Sequence, residues 1–531
     1  MEVQNWQDIA KRKREIQQEL ISQHENTAQT SITDISSLDD LSAKLSSGEL
    51  SSEDVVRAYI SRACEAHKKI LFNNALLRAR ELDQYLAQHG QLIGPLHGVP
   101  VTLKDQFDVM GFDSTIGYVA RSFQPATRNA ALVDMLESLG AIIIAKTNLP
   151  QSILWCETEN PLWGLTTNPL DSEYTPGGST GGESALLASH GSLLGWGTDI
   201  GGSVRIPAHM MGIYGFKPSS ARLPYRNVPV STEGQEHVPS SVGPMSRTLN
   251  TLHQAFKQIT LLQPWDFDAR CVSIPWREDI YQESLPSTTA TEPERPLVIG
   301  VLADDEVVRP HPPITRVLNN AVEKLKSAGH EVVAWDAELH AECVEIMDLF
   351  YTVDGGEDIR TAVLAGGEPF VEHVQKLISR GQPVSVVEYW RLNRRKWDIQ
   401  QRYLDKWNAK RNADGERGVD VLLMPPMPHT SVPHRSCRWV GYTKVWNLLD
   451  YPAIILPGGN ASPEDLSTSW DHKPRNELDE WNKKLWEDNK EKMVELGLPV
   501  GVQIVGRRYD EEKVLGVAKV LDDLLKVKGS G

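Results

Sequence analysis

GGSTGGESALLASHGSLLGWGTDIGGSVRIP, residues 177–207, carries two Gly-Gly-Ser turns 24 residues apart with an apolar run between them. Glycine accepts backbone angles that other residues resist, so such turns leave N–H groups free and hold a hydroxyl without side-chain crowding. A nucleophile, a second hydroxyl to relay a proton and amide donors for an oxyanion are the parts of an acyl-transfer site. The run SLLGWG reads as a strand, and Pro207 would fall in the first turn of a helix. Strand, turn and helix would put Ser203 at a helix N-terminus, where free amides and the positive end of the dipole gather. The N–H groups of Ile200, Gly201, Gly202 and Ser203 are then the candidate oxyanion donors. The structural alternative for Ser203 is an ordinary N-cap.

Ser179 lies in the first turn, and Gly177 to Gly181 also matches G-x-S-x-G. That nucleophile elbow needs a strand immediately before it, and SEYTP is a poor one, so the elbow reading fails on context. The helix-like ESALLASH that follows argues for a tightly packed turn rather than a flexible Gly/Ser loop. Upstream, Lys104 ends the apolar run VPVTL and precedes Asp105. An ammonium beside buried strand residues loses hydration, which lowers its pKa and makes it a candidate general base; the alternative is a strand-end charge. HEVVA at 330–334 lacks the second histidine of a zincin helix, and no nucleoside-triphosphate loop is present. None of the 15 histidines is singled out as the base of a Ser-His-Asp triad.

Outward from this core, apolar strand patterns alternate with helical ones, which predicts an α/β layer architecture. Strands are expected in LHGVPVTLKD (96–105), AIIIAK (141–146), LVIGVLADD (297–305), VDVLLMPPM (419–427), YPAIILPGG (451–459) and GLPVGVQIVG (497–506). Helices are expected over the polar N-terminus to about residue 30, from about Ser52, over 73–90, around 129–139, and in the closing DEEKVLGVAKVLDDLLKV. The predicted organisation is an N-terminal helical extension, 1–50, followed by one catalytic domain, 51–531, with a polar surface insertion at 461–495.

The 531 residues, 40% apolar with 15 Trp, describe an ordered protein able to bury a large core. A formal charge of −16 argues against nucleic acid as the main partner. No apolar span has transmembrane length, and the charged N-terminus lacks the apolar stretch of a signal peptide. Five scattered cysteines without CxxC spacing suit a reducing compartment, so a cytoplasmic protein is expected.

Taken together, these motifs resemble the amidase signature family. Its pattern GGSSGG…GTDIGGSxRxP is matched by GGSTGGE (177–183) and GTDIGGSVRIP (197–207), and its flanking motifs by GPLHGVPVTLKD (94–105) and YGFKPSSARLP (214–224). DVLLMPP, YPAIILP and GLPVGVQIVGRR extend the likeness over residues 50–525, and WQDIAKRKR, PQSILWCET and STEGQEHVPSSVGPM are similar to the fungal acetamidase and general-amidase branch. The resemblance implies an α/β/α sandwich, a large mixed sheet covered by helices on both faces. It implies an amide hydrolase working through a Ser–cisSer–Lys triad and an acyl-enzyme: Ser203 the nucleophile, Ser179 the relay on a cis peptide after Gly178, Lys104 the base. Residues Ile200 to Ser203 would form the oxyanion hole, and Gly178, Thr180, Asp199 and Arg205 would support the loops. Thr180 stands where the family has serine. Ile153, Leu154 and Trp155 would border an apolar acyl pocket for short aliphatic or aryl amides, with esters or carbamates as further substrates. No metal or organic cofactor is implied, and the expected partner is a small-molecule amide, the chain acting alone or as a homodimer. The rival readings are a glutamine-dependent amidotransferase subunit and a non-catalytic binding protein on the same fold.

Overall fold

Ten short segments of the chain pair into one mixed sheet in the computed structural model, which describes residues 5–23, 30–66, 72–285 and 295–526. In chain order they are β1 (Pro100–Lys104), β2 (Ile142–Thr147), β3 (Leu194–Asp199), β4 (Tyr214–Lys217), β5 (Ser241–Ser246), β6 (Val298–Val301), β7 (Glu331–Ala334), β8 (Val421–Met424), β9 (Ala453–Asn460) and β10 (Pro499–Val505). Across the sheet they run β2-β1-β3-β5-β4-β9-β10-β8-β6-β7. β2, β1 and β3 are mutually parallel, as are β8, β6 and β7; the middle pairs are antiparallel. Parallel neighbours need crossovers, and the helices that supply them cover the faces.

Alternation along the strands splits the buried residues between two faces. Val101, Leu103, Leu194, Trp196, Ile454, Leu456, Val500 and Val502 join the largest apolar cluster, with the helices Ser52–Ala66, Phe72–His89, Leu249–Leu261, Pro312–Ser327 and Glu511–Lys526. Met245 and Ile455 point the other way, to a cluster with the helix Arg205–Met211, and Leu422, Met424 and Ala453 to one with the helices His340–Phe350, Val386–Ala409 and Gly441–Leu448.

Several boundaries differ from those expected. The first strand starts at Pro100 rather than Leu96, because Leu96 to Gly98 form turns. The last four residues of HEVVA form the edge strand β7. Segment 461–495 contains the helices Pro463–Leu466 and Glu477–Glu495; most of its residues are exposed or half-buried, and its Leu485, Trp486 and Met493 join the apolar cluster that holds Ile206 and Met210 of the helix behind Ser203. The N-terminal helix is Trp6–Ser22; the ends of the first and last expected helices lie partly outside the described residues. Among the described residues no helix is long and apolar enough to cross a membrane.

Candidate active site

Lys104 is the last residue of β1, on the opposite side from Val101 and Leu103, and it is fully buried. Its Nζ donates to Ser179 Oγ at 2.6 Å and to Thr198 Oγ1 at 3.2 Å. Thr198 in turn donates to Gln106 Oε1 at 2.7 Å, which fixes the direction of that hydroxyl and leaves its lone pair to the lysine. Burial lowers the Lys104 ammonium from 10.5 to about 7, against the upward pull of the Asp199 carboxylate.

Ser179 precedes the helix Gly181–Ala188, and the Gly178–Ser179 peptide is cis. No strand leads into this turn, so the elbow reading stays excluded. The helix is anchored by Glu183, whose carboxyl accepts from Thr147 Oγ1 at 2.9 Å and from Thr102 Oγ1, two residues before the lysine. Burial pushes the Glu183 carboxyl up to about 8, outweighing the lowering by those two hydroxyls. Thr180 carries its extra methyl over Gly197: a Cβ at Gly197 would lie 2.5 Å from Thr180 Cγ2, so glycine opposite makes room for threonine here. Thr180 N–H donates to Ser203 O at 3.1 Å and joins the two serine turns, while its hydroxyl makes a long 3.5 Å contact to Thr198 O. Gly178 packs against the Glu157 backbone.

β3 delivers the second turn. Asp199, its last residue, is wholly buried and paired with Arg205, which donates from Nη2 to Oδ1 at 2.9 Å and from Nε to Oδ2 at 3.0 Å. Burial alone would raise the Asp199 carboxyl, but the Arg205 charge and hydrogen bonds hold it well below the usual range. Asn447, Gln503 and the Thr443 carbonyl complete the arginine's partners. Asp199 accepts from the N–H groups of Gly202, Val204 and Arg205, and so caps the helix Arg205–Met211. Ser203 is therefore not the N-cap: it lies two residues before the helix, and its hydroxyl has no partner among the described residues. The same geometry distinguishes the four candidate oxyanion donors. Gly202 N–H is bound to Asp199 Oδ1 at 2.8 Å, whereas those of Ile200, Gly201 and Ser203 have no intramolecular acceptor among the described residues. Gly202, at φ +128°, approaches Thr443 closely; a Cβ there would lie 2.3 Å from Thr443 Oγ1.

Two cavities open on Ser203. One, of about 540 Å³, is lined by Ser179, Thr198, Tyr225 and the loop 227–240. The other, of about 260 Å³, is lined by Ile153, Leu154, Trp155, Ile206, Tyr351, Leu377 and Trp439, with Arg380, Arg438 and the Lys444–Asp348 ion pair among its walls. Both fall near the size of small-molecule sites. Ile153 and Leu154 border both cavities and Trp155 the smaller one, where it stacks on His373 at 4.7 Å. Ile153 also belongs to a buried cluster, so it is core and wall at once; its φ of +58° is rare for a β-branched residue. Thr198, Gln106, Tyr351, Thr443 and Asn447 escape the sequence reading. Thr198 stands inside a motif whose glycines and serine draw the eye, and the last three lie about 150 to 250 residues away with no local signal.

The profile of the amidase family matches residues 54–515. A protein named Amidase 1 from Gibberella moniliformis is 50% identical to this chain over 98% of it and 99% of the relative. An acetamidase of Aspergillus oryzae is 35% identical, covering 92% of this chain and 90% of its own. Among solved structures, a fatty acid amide hydrolase superposes with a TM-score of 0.83 at 30% identity, covering 94% of this chain and 86% of that one.

Proposed function

The chain belongs to the amidase family, whose members hydrolyse amides, and we propose that it works through an acyl-enzyme on Ser203, with Ser179 as proton relay and Lys104 as terminal base. Neutral Lys104 takes the Ser179 proton as Ser179 takes that of Ser203, and Ser203 Oγ attacks the amide carbonyl. The negative charge that develops on the carbonyl oxygen falls to the free N–H groups of Ile200, Gly201 and Ser203, donors already oriented by the Asp199–Arg205 pair. As the C–N bond breaks, Ser179 protonates the leaving nitrogen and recovers a proton from Lys104, which matters because an amine anion is a very poor leaving group. Water then repeats the cycle on the acyl-enzyme.

The observation that carries this reading is the 2.6 Å contact between a buried lysine, with its pKa lowered to about 7, and a buried serine that shares a cavity with Ser203. The apolar walls at Trp155, Leu377 and Trp439 favour aliphatic or aryl acyl groups, and the likeness to an acetamidase supports small ones. Esters and carbamates present the same carbonyl. The test is product release from acetamide, hexanamide, benzamide, glutamine and a simple carbamate, beside Ser203→Ala and Lys104→Ala. Cleavage of the aliphatic or aryl amides that disappears in both variants is expected; near-wild-type turnover by either variant sinks the relay.

A further inference from the structure

The two cavities on Ser203 differ in which machinery they expose. Ser179 and Thr198 line the larger one, whereas Gly178 and Gly201 line the smaller. If Ser179 protonates the departing nitrogen, that nitrogen must face the larger cavity, and the acyl chain falls to the smaller, apolar one. Ammonia would leave a space of about 540 Å³ almost unfilled.

The larger cavity has a polar character of its own. Ser231, 1% exposed, lines it with a hydroxyl that has no hydrogen-bond partner among the described residues, and a buried polar group left unpaired costs free energy that a ligand can recover. Glu233 and Glu236, exposed on the same loop, also line it, and among the described residues neither pairs with a cation. Among the described residues the one arginine on the wall, Arg270, is already held by Asp268 at 3.2 Å.

Resting on the relay reading above, we propose that the preferred substrates are N-substituted amides whose amine half carries a hydrogen-bond donor, an ammonium above all, seated against Ser231 with Glu233 and Glu236 at the rim. Ser231 Oγ and both carboxylates accept from such a group, while a carboxylate on the amine half meets two like charges. The smaller cavity then selects the acyl half separately, so the enzyme reads both sides of the scissile bond.

The test is a hexanoyl series with amine halves derived from ammonia, propylamine, mono-acylated 1,2-diaminoethane and glycine, assayed at pH 8 with the full chain and with Ser203→Ala. The N-(2-aminoethyl) amide is expected to give a kcat/KM about tenfold or more above hexanamide and the glycine conjugate, the scale of a hydrogen bond to a charged group. Ser231→Ala should lower kcat/KM for that substrate about tenfold more than for the N-propyl amide, chiefly through KM. Glu233→Gln with Glu236→Gln should narrow the preference of ammonium over carboxylate. A rate flat across the four amines, or highest with ammonia or glycine, overturns the inference and leaves the relay standing. Silence on the whole series with Ser203 still labelled by a fluorophosphonate also overturns the inference alone. Silence without labelling overturns the relay reading, and the inference with it.

Discussion

Replacing Lys104 with methionine should give a dead enzyme that is more stable than the wild type, by an amount that depends on pH. The side chain is fully buried, and burial lowers its pKa from 10.5 to about 7. Between those two values the unfolded chain holds a proton that the folded chain lacks, so wild-type stability rises with pH across that window. Integrating the two titrations, the lysine costs the folded state about 4 kcal/mol at pH 7 and about 2 kcal/mol at pH 9, relative to a pH where both forms are neutral. Methionine has a similar length, no charge and no such pH dependence. Its changed packing and the lost contacts to Ser179 and Thr198 shift stability by an offset common to both pH values. Urea unfolding of both proteins at pH 7 and pH 9 therefore isolates the lysine term. The Lys104→Met advantage should shrink by about 2 kcal/mol between pH 7 and pH 9. A stability difference that stays constant between the two would mean that Lys104 does not change protonation in that range, and the argument for it as a base would fail.

The same shift fixes the sign of the activity profile: the base works deprotonated, so kcat/KM for a neutral amide should climb as pH rises through about 7 and then level off, and a profile falling across that range contradicts it. Asp199→Asn leaves Arg205 buried without its counter-charge and should cost about 3–5 kcal/mol of stability together with most of the activity, read by urea midpoint and turnover. Gly197→Ala should destabilise by about 1–3 kcal/mol through overpacking against Thr180, and adding Thr180→Ser should recover part of that loss; additive effects in the double mutant would refute the contact.

The parts legible in the sequence were those in which chemistry and local spacing coincide. GTDIGGSVRIP shows a strand, a glycine turn and a helix start within eleven residues, and the apolar runs around 142–147, 298–301, 421–424, 453–460 and 499–505 read as strands because each is long and apolar enough to be buried. β4 and β5 are different. Tyr214–Lys217 is four residues, and Ser241–Ser246 holds Gly243 and Pro244, so neither shows the pattern of a central strand although both pair on two sides. Segment 461–495 looks solvated because its charges outnumber its apolar residues, and few of its residues are buried; Leu485, Trp486 and Met493 on one helix face fasten it to the core. At the site, helix-dipole reasoning treats the four amides as equivalent and leaves a serine cap as the alternative. It could not foresee that the Asp199 carboxylate would take the Gly202 amide and do the capping itself, since that depends on the turn closing back on its own strand. Tyr351, Thr443 and Asn447 reach the turn only through the tertiary fold.

The central claim is that Ser203 is the residue that carries the acyl group. The direct measurement is peptide mapping by mass spectrometry after an acid quench of the enzyme with an activated hexanoyl ester, run on the wild type, Ser203→Ala and Lys104→Ala. A hexanoyl adduct on the peptide containing Ser203, absent in Ser203→Ala and formed far more slowly in Lys104→Ala, is the predicted result. An adduct on Ser179 or elsewhere, or one that survives in Ser203→Ala, would contradict the account.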